Sequence, residues 1–259
     1  MAFSFINRVA LAGISLIAVQ AQAEGDQPGS YTQVCTCVQE ETGLRQIPVT
    51  VRDFQESHPD FEIPSHLYNG RVRDEGIIEN YLSDDGRPVY RNVDGRTDTT
   101  HGKQYFDQWY RDVPGVNRTI PTTLVMRPSS PDSLYKYTYE NLSFFPIDNQ
   151  GYGNSGYDTE GLYRNFHFTL ETHLKFYYVE GGTFRFLGDD DLWIFINGKL
   201  AIELGGLHPS LERIVNLDEM ADELGIEPGN SYSFALFFAE RHTSASRFVF
   251  ESSFELECL

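Results

Sequence analysis

The sequence is poor in cysteine, methionine, tryptophan and positive charge. Its 259 residues hold three cysteines, three methionines and two tryptophans, and 20 Lys and Arg stand against 38 Asp and Glu, a formal net charge of −18. Nucleic acid and anionic lipid are repelled at long range by such a polyanion, so neither is expected as a partner. No segment approaches about 18 consecutive apolar residues, so no membrane insertion is expected. The cysteines have no CxxC, CxxCH or zinc-type Cys/His spacing, which leaves haem and structural zinc without support. GxSxG, HExxH and P-loop patterns are also absent. What is present suffices for a large core: 40% hydrophobic and 14% aromatic residues exclude global disorder.

Residues 1–23 read as a secretory signal peptide. Arg8 supplies the positive charge, Val9 to Val19 the short apolar run, and Ala21-Gln22-Ala23 a small-x-small cleavage site. Export predicts a secreted, extracellular or cell-surface protein in which disulfides form. A bridge within Cys35-Thr36-Cys37 closes a small, strained ring. The preferred pairing joins Cys258 to Cys35 or Cys37, a loop of roughly 220 residues worth about 4–5 kcal/mol of chain entropy.

Residues 24–47 are polar and turn-rich and read as an N-terminal leader to a single domain over 48–259. Residues 50–165 are loop-heavy and predict short strands, with a short aromatic helix around Tyr105, Phe106, Trp109 and Tyr110. The second half is clearer. Phe166, Phe168 and Leu170 alternate, as do Leu174, Phe176 and Tyr178, and Tyr232, Phe234, Leu236 and Phe238. Leu192–Ile196 is apolar throughout, the mark of a strand covered on both faces, and Asn197-Gly198 behind it is a strong hairpin signal. Leu217, Met220 and Leu224 have helical spacing, with Gly225 as the stop. The class expected from this pattern is all-β, a sandwich or barrel with long loops and one or two short helices.

The chemistry concentrates in Asp189-Asp190-Asp191. Three adjacent carboxylates repel one another, and hard oxygen ligands in a cluster suit Ca2+; the alternative is an acidic solvated turn. The strand after them is apolar, so a rigid scaffold presents the acids at its end. A second polar loop, Glu240-Arg241-His242, ends the strand at Ala239, and opens at the same rim if the two strands are neighbours. His208 follows Gly205-Gly206. Glu240, Arg241, His242 and His208 are therefore candidate ligand-binding residues, against the simpler readings of a surface ion pair and a backbone-bonded loop histidine. Adjacent acids on one turn do not give the separated carboxylate pair of a glycosidase, so no enzyme activity is expected.

Several blocks together resemble the fibro-slime domain family of secreted bacterial and slime-mould proteins. They are Val49–Phe54, His58-Pro59-Asp60-Phe61, Phe144–Asp148, Asn165–Thr169, Gly188–Gly198, Leu204–His208, Val215–Asp218 and Phe238–Thr243, spread over about 50 to 256. That family is similar to the carbohydrate-binding domain of anthrax protective antigen, yeast flocculins and epithelial adhesins. The resemblance implies a β-sandwich of that lectin type. It also implies a Ca2+ held by two aspartates joined through a cis peptide bond, with the ion coordinating sugar hydroxyls. The lectin pair lies eight residues before an Asp/Asn-Gly turn, and counting back from Asn197 reaches Asp189, so the pair is Asp189-Asp190, with Asp191 as a third metal ligand or a replacement. The function so implied is calcium-dependent recognition of a glycan or cell-surface polysaccharide, without catalysis. The alternative is a structural subunit or cap of an extracellular fibre, slime or matrix, self-assembling or joined to other fibre proteins.

Overall fold

The computed structural model describes residues 43–64, 72–130 and 136–258, within a unit running from Gln33 to Leu259. In chain order the elements begin with β1 (Arg45–Phe54), β2 (Val72–Arg73), β3 (Ile78–Leu82), β4 (Pro88–Tyr90), α1 (Lys103–Phe106), β5 (Asn117–Pro128) and β6 (Tyr137–Asn141). Next come β7 (Gly156–Tyr157), β8 (Tyr163–Arg164), β9 (Phe168–Tyr177), β10 (Thr183–Gly188), β11 (Asp191–Ile196) and β12 (Lys199–Leu204). The chain ends with β13 (Gly206–Leu207), β14 (Leu211–Asn216), α2 (Leu217–Leu224), β15 (Ser231–Glu240), β16 (Phe248–Ser252) and β17 (Leu256–Cys258). The all-β expectation holds.

Thirteen strands form one antiparallel ladder in the order β14-β10-β16-β6-β5-β1-β9-β15-β11-β12-β3-β4, with β17 added beside β9. The ladder curls so that its two halves face each other. Phe184 and Phe186 of β10 and Phe248 and Phe250 of β16 share one core with Leu192, Ile194 and Ile196 of β11 and Phe234, Leu236 and Phe238 of β15. Burying each of these side chains contributes about 1.5–3 kcal/mol relative to exposure. The alternate residues of the same strands, Trp193, Phe195, Phe237 and Ala239, face outward. They are covered by Phe54 at the end of β1 and by the segment between β1 and β5, through Phe61, Ile77, Tyr90, Phe106, Trp109 and Tyr110. β11 is therefore buried on both faces, as its unbroken apolar run requires.

The local signals are met. Asn197 (φ 52°) and Gly198 (φ 73°) turn β11 into β12, and Ile196 pairs with Lys199 across them. α2 is capped by the Asn216 side chain on the Asp218 amide and stops at Gly225, which has left-handed φ 67°. The expectation of short strands before residue 165 is corrected by β5, which pairs with β1 from Asn117 opposite Phe54 to Met126 opposite Arg45. Most of β5 faces solvent, so it carries Arg and Thr where an alternating apolar pattern announces a strand. β1 begins at Arg45, inside the stretch read as leader. Cys258 lies in β17, opposite Leu174 of β9. Cys35, Cys37, the signal segment 1–23 and residues 24–42 lie outside the described residues. Among the described residues no helix is long and apolar enough to cross a membrane.

Candidate functional site

Asp189 and Asp190 are the two residues that carry the chain from β10, in one half of the ladder, to β11, in the other. A step that short turns the backbone sharply, and Asp190 takes it in the left-handed region at φ 56°, which aspartate tolerates better than most residues. All peptide bonds among the described residues are trans, so the implied cis bond between Asp189 and Asp190 is corrected. The acids do not form a solvated turn. Asp189 and Asp190 are 7% and 6% exposed and Asp191 is fully buried.

The three carboxylates have different partners. Asp189 accepts from the Arg247 amide and from Ser210 Oγ (3.1 Å). Asp190 accepts from the Arg241 amide (2.8 Å). Asp191 accepts from the Gly206 amide (2.8 Å) and from two nitrogens of Arg241, Nε at 2.5 Å and Nη2 at 3.1 Å. Both Asp191 oxygens are thus engaged by donors inside the protein. Asp191, expected as a third metal ligand, has its side chain on the Trp193 face, where it serves as the counter-ion of Arg241.

Arg241, a candidate ligand-binding residue, is engaged inside the protein. It is fully buried, donates through Nη1 to Thr99 O (2.7 Å) and Asp60 O (3.1 Å), and lies 4.7 Å from the Trp109 ring centroid. The Asp60 carboxylate accepts from the Trp109 indole (3.1 Å) and the His101 amide (2.6 Å). Arg241 therefore ties the segment between β1 and β5 to the rim of the sheet.

The register of β11 on β15, Asp191 opposite Ala239, brings Glu240 beside Asp190, as the common-rim expectation requires. Glu240 is fully buried, and among the described residues neither carboxylate oxygen has a hydrogen bond of normal geometry. Ser246 and the His242 amide approach it closely enough to favour its charge slightly. Burial, followed by the charges of Asp190 and Asp189, pushes its pKa well above the ordinary value. Burial also raises Asp189 and Asp190, and for Asp190 the opposing charge of Arg241 does not cancel it.

His208 lies 6% exposed near this rim. Its Nδ1 donates to Pro209 O (3.0 Å), because a carbonyl only accepts, and its Nε2 is buried without a partner among the described residues. His242 turns to a different group. Glu62, at left-handed φ 49°, accepts from His167 Nε2 (3.1 Å), the Thr243 amide (3.1 Å) and the Thr243 hydroxyl (2.9 Å), with His242 Nε2 at 3.7 Å. Burial acts to raise Glu62, but these hydrogen bonds and the His242 charge outweigh it and bring its pKa down to about 2. Glu62, His167, Asp60 and Trp109 were not among the candidate site residues. The cue available was the block His58–Glu62, polar residues set among aromatics where a loop covers a second core.

The fold and rim thus describe an all-β domain with a buried excess of carboxylate at one edge. The chain matches no family model. It is similar to proteins of Dictyostelium discoideum. Protein psiQ is 40% identical over 209 residues, 77% of this chain and 20% of that protein, and protein psiD is 38% identical over 221 residues, 82% and 42%. The chain spans about a fifth to two fifths of these curated relatives. Among solved structures, the PA14 sugar-binding domain from an RTX adhesin superposes with a TM-score of 0.26 at 13% identity, over 46% of this chain and 73% of that one. So loose a superposition carries no function.

Proposed function

We propose that this protein is a secreted, non-catalytic carbohydrate-recognising or adhesive domain whose rim acids hold Ca2+. The observation that carries the reading is Glu240, fully buried and, among the described residues, without a hydrogen bond of normal geometry on either oxygen, against Asp189 and Asp190. The Arg241 guanidinium is already matched by Asp191, and the charge of Arg247 reaches Asp189. The three carboxylates thus carry more negative charge than Arg247 balances. Such a site sheds its charge by taking up protons or by binding a metal ion. Oxygen-only ligands favour Ca2+, which takes six to eight of them.

In this reading Asp189, Asp190 and Glu240 are the anionic ligands. Among the described residues no three His, Cys, Asp or Glu side chains stand together as a metal group, so binding would draw these three together, with main-chain carbonyls and water completing the shell. Bound there, Ca2+ supplies a hard Lewis-acid centre for vicinal hydroxyls, the chemistry implied by the resemblance of Gly188–Gly198 to calcium lectins. The chain's own part is to hold the acids. The Arg241 amide fixes Asp190, the Arg247 amide and Ser210 fix Asp189, and the β11–β15 register sets Glu240 beside them.

Calorimetric titration with Ca2+ and a glycan array run with and without chelator test the reading. Saturable Ca2+ uptake and array signals that vanish on chelation support it; absent uptake overturns it. A structural subunit of a fibre or matrix remains the second reading, favoured by β14, an end strand of the ladder on which Ile214 is 59% exposed. Filaments in electron micrographs of the purified protein identify that case.

A further inference from the structure

The β7–β8 hairpin presents two neighbouring aromatic rings to solvent. Tyr157 and Tyr163 are directly opposite each other in the register, 65% and 51% exposed, with ring centroids 5.0 Å apart at an interplanar angle of 46°. Their hydroxyls meet no partner among the described residues. Two large exposed aromatics side by side need an explanation, since water is a poor neighbour for their faces.

The hairpin is held rigidly from below. Asp158 closes the turn, accepting from the amides of Glu160 (2.9 Å) and Leu162 (2.8 Å) and from Arg164 Nε (3.0 Å). Arg164 also pairs with Asp148 (2.8 Å) and lies over the Phe145 ring, and Asn154 donates to Tyr163 O (2.6 Å). A platform fixed in this way loses little entropy when it binds.

The same hairpin is fastened to the loop that carries the acid rim. The Thr159 amide donates to Ser244 O (3.1 Å), and a Cβ on Gly156 would meet Thr243 at 2.4 Å, so glycine lets the two segments touch. Three residues before Ser244, the Arg241 amide holds Asp190.

We propose that Tyr157 and Tyr163 form a stacking subsite for one neutral pyranose ring of a glycan chain. This rests on the glycan reading above and adds the chemistry of the bound sugar. Two rings bury roughly 300–500 Å² at most, well below the roughly 800 Å² per partner of a stable protein interface. The occupant is therefore small. A net charge of −18 disfavours acidic sugars and phosphates. A neutral pyranose offers a flat C–H face to the rings and hydroxyls to the free phenols and the water around them.

The test uses the full chain with Ca2+ and neutral hexasaccharides of mannose, glucose and galactose, read by calorimetry. The variants are Tyr157→Ala, Tyr163→Ala and the double variant, with thermal unfolding to confirm that these exposed changes leave the fold intact. The double variant is expected to bind its hexasaccharide about tenfold or more weakly, with Ca2+ uptake unchanged. Affinity within twofold of the parent chain, with binding still abolished by chelator, overturns the subsite and leaves the calcium reading standing. Binding that survives chelator but falls in the double variant supports the subsite and removes calcium from it. No binding of any neutral hexasaccharide by the parent chain overturns the subsite, while Ca2+ uptake in the same titrations still reports on the metal. A self-association lost in the double variant, without sugar binding, also overturns it.

Discussion

The Asp191 carboxylate grips the Arg241 guanidinium through Nε and Nη2, and both side chains are fully buried. Every remaining polar atom of the pair has work inside the protein. Asp191 also takes the Gly206 amide, and Arg241 the carbonyls of Thr99 and Asp60. A buried pair of this kind is expensive to break from one side, because the surviving charge is stranded away from water. Arg241→Leu is expected to cost about 3–5 kcal/mol in urea unfolding. Asp191→Leu combined with Arg241→Leu is expected to cost much less than Asp191→Leu and Arg241→Leu summed. Additive losses would show that the pair is not a coupled unit.

Glu240→Gln separates stability from metal binding. The carboxylate is buried, unpaired and pushed toward its neutral form. Its folded-state pKa is raised, so it favours folding at low pH and opposes folding once pH climbs past the unfolded value toward the folded one. The variant is expected to unfold at a higher temperature than the parent at pH 8 without metal, and at nearly the same temperature at pH 4. It is also expected to lose most of the thermal shift produced by millimolar Ca2+. A variant that gains nothing at pH 8 shows that Glu240 is not stranded as a charge.

Glu62 gives the opposite pH signature. Its pKa falls to about 2, so it stabilises the fold fully above the ordinary carboxylate value and loses that contribution as pH falls from about 5 through about 2. Nearly a third of its side chain is exposed, so solvent screening reduces the effect to about 1–2 kcal/mol at pH 6. Glu62→Gln is expected to flatten the acid limb of the stability–pH profile, measured by urea unfolding from pH 6 to 2. A profile unchanged over that range removes the Glu62–His167 contact from the stability of the rim loop.

Gly188→Ala probes the corner where the chain leaves β10. A Cβ there lies 2.7 Å from the Phe186 ring and 2.8 Å from Arg247 O, closer than packed atoms sit, and one of those neighbours is backbone. The substitution is expected to destabilise the protein by about 1–3 kcal/mol. It should also weaken Ca2+ uptake, because the Arg247 amide that holds Asp189 lies against the same contact. Unchanged unfolding and Ca2+ titrations would mean that the corner yields freely.

Sequence served best where the signal is local. The apolar run Leu192–Ile196, the Asn197-Gly198 turn and the Leu217–Leu224 helix with its glycine stop act over a few residues, and each occurs where its pattern places it. β5 was hidden because its outward face carries Arg and Thr, and its strand character comes from pairing with β1. The acid cluster was legible as a cluster, but its division of labour was not. Strand parity turns Asp191 toward Trp193 and Arg241, while the left-handed turn at Asp190 leaves the other acids beside Glu240.

The chain by itself determined an all-β architecture, a rigid apolar strand behind three acids, and a strongly negative molecule, since periodicity, turn chemistry and charge are properties of neighbouring residues. Only the tertiary structure decided which carboxylates are spent and which are stranded. That depends on which side chains from distant segments arrive at the same dry edge. Arg241 and Gly206 meet Asp191 there, Thr99 holds Arg241, and among the described residues no hydrogen bond of normal geometry reaches the Glu240 carboxylate.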